Sequence, residues 1–432
     1  MTSPGSAGYV VARVSVWGRD VGAVAESRAG DVVFEYAEEF RRSGLELSPV
    51  HLPLSLRGPV AFPELRRVDS FSGLPGLLAD SLPDAFGNAV IRRYFEQRGM
   101  PDAALSPVQK LLYLGSRAMG ALEFHPQLDR ELSQDTGEAL AIAHLVQEAR
   151  RVVEGDPSVA LPEMMQLGAS AGGARAKAMI LWNRAEQRVK SAFAPRRGGD
   201  EHWLIKFDGV TAGAGGHTVE REFVPGPWGR IEYAYSRLAR AAGIEMAETH
   251  LLREREFAHF MTRRFDREGD TRLHLHTLGG MLHADYNVRQ VLSYEDLFRT
   301  ILRLGLGQPS VDEAFRRMVF NIAARNQDDH VKNVAFLMNA DGAWRLAPAY
   351  DVSWAMGGRW TRTHQMTAGG KDDDFTRSDL LKIGAAFDVE RDGAEIIDEV
   401  DAALSSWTEE AEAVGLESEW VGRVGETFRR FA

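Results

Sequence analysis

Residues 320–336 read Phe-Asn-Ile-Ala-Ala-Arg-Asn-Gln-Asp-Asp-His-Val-Lys-Asn-Val-Ala-Phe. The stretch changes character twice. Met318 to Ala324 is apolar and reads as a helix. From Asn326 to Asn333 every side chain except Val331 can donate, accept or ligate. Val334-Ala335-Phe336-Leu337 then reads as a short strand. A solvated connection would be built from Gly, Ser and Pro. Asp-Asp-His-x-Lys-Asn set directly before a buried strand is a different kind of segment.

Its spacing suits phosphoryl transfer. That chemistry needs a carboxylate near the acceptor hydroxyl and a metal-holding amide or carboxylate a few residues on. It also needs a second carboxylate beyond the next strand. Asp328 and Asn333 are five apart, the spacing of a kinase catalytic loop. Leu346-Ala347-Pro348-Ala349-Tyr350-Asp351 follows, and Asp351 can be the second metal-binding carboxylate. Lys332 can neutralise charge on the transferring group.

Such a site requires upstream parts. Lys206 sits inside the apolar strand Leu204-Ile205-Lys206-Phe207. A lysine buried there is costly unless it meets an anion; the structural alternative is a lysine snorkelling from a sheet edge. Glu232, on the helix that follows, stands where a kinase would place the carboxylate that orients the lysine, although Glu220 and Glu222 compete for the role. Gly172-Gly173-Ala174-Arg175-Ala176-Lys177 precedes a strand, and small residues there let backbone N–H groups approach phosphates.

The composition sets limits. The chain has 432 residues, enough for two or three domains. There is no cysteine, which removes disulfides, thiolate zinc sites, iron–sulfur clusters and a cysteine nucleophile. Fifty-one basic residues against 62 acidic ones give a net charge of −11, a poor basis for non-specific nucleic-acid binding. No apolar run approaches the ~18 residues that span a bilayer. Met1 to Val10 lacks the basic start and apolar core of a signal peptide. The chain reads as soluble and cytoplasmic.

Further out, residues 8–36 read as an antiparallel meander, with turns at Gly18-Arg19-Asp20 and Gly30-Asp31. Helices are predicted over 85–99, 106–118, 229–242 and parts of 130–157. Ala176–Trp182 and His202–Phe207 read as a hairpin with a long mobile tip, and strands are expected around 248–254 and 257–265. After Glu295 the pattern is mostly helical. Lys371-Asp372-Asp373-Asp374 reads as a solvated loop and Arg196-Arg197 as a loop tip.

Familiar nucleotide motifs are missing. Gly370-Lys371 is followed by Asp372, so there is no P-loop, and no G-x-G-x-x-G follows a strand. Gly168-Ala169-Ser170-Ala171-Gly172 matches the hydrolase nucleophile elbow. That elbow needs a strand before the serine and a helix after it, and here the order is reversed.

Five segments, in order, resemble the HipA family of serine/threonine kinases, the toxins of type II toxin–antitoxin modules. They are Gly172–Ala178, Leu204–Phe207, Thr262–Arg267, Asn326–Phe336 and Leu346–Trp354. Leu52–Leu56 and Ala79–Asn88 resemble that family's N-terminal module. The resemblance implies an α+β, protein-kinase-like two-lobed fold. It would comprise an N-terminal β-rich module over 1–130, a mixed β N-lobe over 131–265 and a mostly helical C-lobe over 266–432.

By the same resemblance, Asp328 would accept the substrate hydroxyl proton. Asn333 and Asp351 would bind Mg²⁺, with His330 and Tyr350 beside the nucleotide. Lys206 would contact the phosphates, and Ala174, Arg175 and Lys177 would belong to the phosphate-proximal loop. Arg263, Arg264 and Phe265 would form the hinge that meets adenine, and Asp266 would bind the ribose. Ser170 aligns with a serine that is autophosphorylated in such kinases. Two departures stand out: Arg175 where the family more often has glutamine, and Arg263 where it has an acidic residue.

The family also implies ATP and Mg²⁺ as cofactors and a small helix-turn-helix, HipB-like antitoxin that carries the DNA contact. Its known substrates include aminoacyl-tRNA synthetases. Other readings remain: a small-molecule kinase or a non-catalytic partner-binding subunit on the same fold, or a metal-dependent phosphohydrolase. The last would join Asp328-Asp329-His330 to His274, His276 or His283.

Overall fold

The computed structural model describes residues 8–97, 105–128, 142–154, 175–211 and 226–431. Alternation shapes the first sheet. Ala12, Val14 and Val16 are buried on one face of β1 (Tyr9–Val16) while Tyr9 and Val11 face solvent. β1 pairs with β2 (Arg19–Ser27), and β2 with β3 (Val32–Tyr36), giving the expected meander. β4 (Leu122–His125) closes the far edge of β1, so the order is β3-β2-β1-β4. Four helices cover this module: α1 (Glu38–Arg42), α2 (Gly76–Ala79), α3 (Ala85–Gln97) and α4 (Pro107–Leu114). Ser106 starts α4 with a reciprocal Ser–Gln capping box and Pro107 behind it.

α5 (Ile142–Glu154) leads to the second sheet. Its strands are β5 (Arg175–Asn183), β6 (Arg188–Ser191), β7 (Asp200–Thr211), β8 (Thr249–Glu254) and β9 (Phe257–Arg263), in the order β6-β5-β7-β9-β8. The hairpin tip between β5 and β7 is not the mobile loop its Gly, Pro and Arg content suggested. β6 folds back onto β5, with Ile180 opposite Ser191, and buried Lys190 ion-pairs with buried Asp200. The tip is held by a charge pair that periodicity does not reveal.

α6 (Trp228–Ala241) follows. Next come the two-residue strands β10 (Arg267–Glu268) and β11 (Thr271–Arg272). A small sheet then forms in the order β12-β13-β14, from β12 (His274–Thr277), β13 (Ala335–Met338) and β14 (Trp344–Leu346). The rest is helical: α7 (Leu278–Leu282), α8 (Tyr294–Arg303), α9 (Gln308–Ala323), α10 (Arg377–Ala386), α11 (Ala394–Leu404), α12 (Trp407–Ala413) and α13 (Ser418–Gly425). The architecture is mixed α and β, with a sheet-rich half and a helical half.

The largest core cluster lies in the helical half and is centred on α9, which buries Val311, Phe315, Met318, Val319 and Ile322. Truncating Phe315 or Phe320 to alanine would cost about 3–5 kcal/mol. A second core fills the N-terminal module. A third crosses the boundary drawn near residue 130: Phe86, Val90 and Ile91 of α3 pack with Ala176, Ala178, Trp203 and Ile205 beneath the second sheet. The N-terminal module is therefore packed into the sheet-rich lobe. Among the described residues no helix is long and apolar enough to cross a membrane.

Candidate active site

Lys206 enters the cleft from β7. Its side chain is 11% exposed, and its ammonium lies 2.5 Å from Glu232 Oε1 on α6 and 2.5 Å from Asp351 Oδ1. Glu232 is the glutamate found beside the lysine among the described residues; Glu220 and Glu222 lie outside them. Glu232 reaches the lysine because Ile231, Tyr235 and Leu238 anchor the helix in the core. Lys177 stands opposite Lys206 in the β5–β7 register. Like charges paired across strands repel, so the two ammonium groups need anions between and beside them.

One of those anions comes from the N-terminal module. Asp84 Oδ2 is 3.4 Å from Lys177 Nζ, and both side chains are almost fully buried. Asp84 also caps α3, its Oδ1 accepting from Gly87 N at 2.7 Å. Burial raises its carboxyl above the ordinary range, against the pull of Lys177. Four residues earlier, Asp80 is anchored in the other half of the molecule. It accepts from Thr277 N (2.7 Å) and Thr277 Oγ1 (2.7 Å) and lies 2.6 Å from His276 Nδ1. Lys332 faces this acid pair: burial lowers its pKa, and Asp80 and Asp84 oppose the shift.

The catalytic-loop segment is held from behind. Gln327 N donates to Ala355 O and Ala355 N to Arg325 O, so the strand stem pairs with the chain that follows Asp351. Asn333 Nδ2 donates to the backbone carbonyl of Asp328 at 2.9 Å. This leaves the amide oxygen of Asn333 free to face a cation. Tyr350 Oη donates to Lys332 O at 2.6 Å and its ring packs on Phe265. His330 is buried, accepts from Lys332 N, and has its pKa lowered by that burial.

The two key aspartates are tuned apart. Burial would raise Asp351, but Lys206 and then Lys177 outweigh it and hold the carboxyl at about 2. Asp351 sits at φ 53°, a left-handed conformation that Asp tolerates better than most residues. Asp328 shifts the other way: burial raises it, His330 opposes, and the neighbouring Asp351 charge adds to the rise. One carboxyl is thus raised and its neighbour held firmly ionised.

Asn333 and Asp351 offer oxygens alone, and one or two such protein ligands suffice for Mg²⁺ when phosphates supply others. The residues fit the ion. The hydrolase alternative finds no such support. His274 meets Leu47 O, His276 meets Asp80 and Ser48, and His283 accepts from Gly76 N and stacks on His51. All three histidines serve the contact with the N-terminal module. No group of three or more metal-ligating side chains occurs among the described residues.

The hinge differs from expectation. Asp266 is fully buried, and its carboxylate accepts from Arg264 Nε and Nη2, Arg267 Nη1 and Gly120 N, at 2.7–2.9 Å. It has no free face for a ribose. Arg264 is spent on the same pair, and exposed Arg263 faces Glu201 and Glu248. The backbone N–H groups of Arg263 and Arg264 donate to Glu248 O and His202 O. Ala174 and Ser170 lie outside the described residues, and Arg175 begins β5.

Sequence reasoning missed two parts of the site. Asp84 stood in a quoted segment without a role. Trp360 gave no signal, yet its indole N–H donates to Asp328 Oδ1 at 3.2 Å. Asp329, which the hydrolase alternative would have used as a metal ligand, is instead bound by Tyr294 Oη (2.7 Å), His364 Nδ1 (2.9 Å) and Gln365 N (2.8 Å).

A sheet-rich lobe, a helical lobe and a lysine–carboxylate triad between them define a two-lobed, kinase-like class. Two family descriptions match the chain: "HipA N-terminal domain" over residues 12–125 and "HipA-like C-terminal domain" over residues 169–407. The protein belongs to the HipA family. One similar solved structure is the Shewanella oneidensis MR-1 toxin–antitoxin complex of HipA, HipB and operator DNA. It shows 15% identity and a TM-score of 0.65, covering 96% of this chain and 95% of that one. A Helicobacter pylori proinflammatory kinase, CtkA, aligns at 12% identity and TM-score 0.34, covering 52% of this chain and 84% of that one. No curated protein matches.

Proposed function

We propose that this protein is an ATP- and Mg²⁺-dependent serine/threonine protein kinase acting as the toxin of a type II toxin–antitoxin pair. The observation that carries the reading is Lys206 held between Glu232 and Asp351 at 2.5 Å. Such a lysine is placed to meet phosphate oxygens, with Lys177 and Lys332 adding positive charge beside it. Asp328 orients the acceptor hydroxyl and takes its proton as the phosphoryl group is transferred in line. Mg²⁺, when held by Asn333 and Asp351, neutralises charge on the phosphates. With Asp266 closed, nucleotide contacts at the hinge fall to Phe265 and to backbone carbonyls, and His330 and Tyr350 line the cleft floor.

The Shewanella protein was solved with HipB and operator DNA. That supports a small helix-turn-helix, HipB-like antitoxin as partner here, with DNA contacted through it. A translation component such as an aminoacyl-tRNA synthetase is the substrate class we assign, so that phosphorylation would slow translation. Ser170 is the proposed autophosphorylation site.

The test is incubation with γ-labelled ATP, Mg²⁺ and a cell lysate, wild type beside Asp328→Ala. Labelled proteins are expected with wild type only, the variant losing about 10²–10⁴-fold in transfer while still binding ATP. Equal labelling by the variant, or no ATP binding by wild type, would overturn the reading.

A further inference from the structure

Trp360 makes the hydrogen bond that an acceptor hydroxyl would make. Its ring is 37% exposed, yet its N–H donates to the carboxylate assigned as the base, at 3.2 Å. The segment carrying it is a built lip. Gly357, at φ 92°, donates its N–H to Thr361 O, and Gly358 N donates to Thr361 Oγ1. The resulting turn puts Arg359 and Trp360 at its tip.

The backbone behind that tip is tied to the catalytic loop. Gln365 Nε2 bridges Trp360 O (2.8 Å) and Gln327 O (3.1 Å), and Gln327 Nε2 reaches Arg362 O at 3.4 Å. The lip is thus fixed at its base, while Arg359, Trp360 and Arg362 are exposed. Neither arginine forms an ion pair among the described residues. Exposed arginines without an ion pair also occur elsewhere among the described residues, such as Arg255 and Arg289, but Arg359 and Arg362 flank the side chain that meets Asp328.

We propose that residues 357–362 are the acceptor-binding lip, and that they select a protein segment whose hydroxyl is flanked by acidic residues. The inference rests on the kinase reading and adds the substrate's chemistry to it. Trp360 holds the acceptor's place on Asp328 until the hydroxyl displaces it, and the exposed indole has room to move aside. Its face then offers apolar contact, and the two guanidinium groups pair with carboxylates on either side of the acceptor.

The experiment uses the full chain and three serine peptides, flanked by Asp/Glu, by Ala or by Arg. Wild type is expected to favour the acidic peptide over the neutral one by about tenfold in kcat/KM, the sum of two surface charge pairs. The double reversal Arg359→Glu with Arg362→Glu should abolish that preference, with the KM for ATP as the control parameter. Trp360→Phe, which keeps the ring and loses the N–H, should lower the peptide KM relative to the ATP KM. Equal use of the three peptides, or an acidic preference that survives the double reversal, would overturn the lip. Uniform labelling removes this inference alone. Absence of both peptide labelling and ATP binding removes the kinase reading with it.

Discussion

Two buried charge clusters, both built from family-motif residues, behave differently. In the first, Lys206 is shared by Glu232 and Asp351, and Asp351 keeps a side chain that is 26% exposed toward the cleft. In the second, Asp266 is shared by Arg264 and Arg267, and neither it nor Arg264 has an accessible face. The first keeps carboxylate surface accessible at Asp351. The second is saturated, because Gly120 N takes a remaining acceptor position. Motif matching brings charged residues to a place; unfilled capacity decides whether they bind a ligand or hold the fold together.

The sharpest way to break this contrast is to disable one cluster at a time. Lys206→Met should lower phosphoryl transfer by at least about 10²-fold, because the cation that meets the phosphates is gone. Asp266→Asn should act on stability. It leaves two arginines buried without their anion, which costs about 3–5 kcal/mol and is read as a lowered denaturation midpoint. The ATP KM of the Asp266→Asn protein that remains folded should stay near wild type. An unchanged midpoint together with a tenfold rise in ATP KM would return Asp266 to the ribose.

This contrast also explains what was legible in the sequence. The Asp328–Asn333 spacing and the lysine within an apolar strand could be read because chemistry forces those types into those local patterns. The helix of Glu232 was visible from its amphipathic spacing, and Glu232 meets Lys206. Asp266 was expected to bind the ribose; its carboxylate accepts from its sequence neighbours Arg264 and Arg267 and from Gly120, 146 residues away. The anchored tip at β6 depends on Lys190 finding Asp200, and Asp84 depends on a module packing into the other lobe. Periodicity does not announce the Lys190–Asp200 or Asp84–Lys177 contact, since it reports which face is buried and not what waits there.

Asp84 tests the contact between the module and the cleft. Its Lys177 partner faces Lys206 across the sheet, so Asp84 lowers the positive potential that a nucleotide's phosphates would meet. Asp84→Asn should tighten binding of a non-hydrolysable ATP analogue by roughly three- to tenfold, as expected for removing one nearby partly buried anion. The same change should cost about 1–2 kcal/mol of stability, since Lys177 loses its counter-ion. Calorimetric titration measures the first effect and urea unfolding the second. Weaker nucleotide binding would mean that Asp84 positions Lys177 for the phosphates instead of competing with them.

The smallest effect is expected from acid, at the seam where Asp80 anchors the module. Burial pushes His274 and His283 down to about 3, and it also lowers His51, which stacks on His283. His283 must be neutral, because its Nε2 accepts from Gly76 N at 3.0 Å. Asp80, across the seam, is held low by His276 and Thr277 despite its burial, so it stays ionised through this range. A histidine whose folded pKa lies below its unfolded value of about 6.5 binds fewer protons when folded. Stability is then complete above pH 6.5 and falls as the pH drops toward 3. Between pH 6.5 and 5 the loss should reach roughly 1–2 kcal/mol, seen as a lower urea midpoint and faster proteolysis at the seam. His283→Gln keeps an acceptor for Gly76 N and cannot be protonated, so it should make the profile shallower by the His283 share, leaving that of His274. A profile equally steep in that variant would move the acid sensitivity away from the seam.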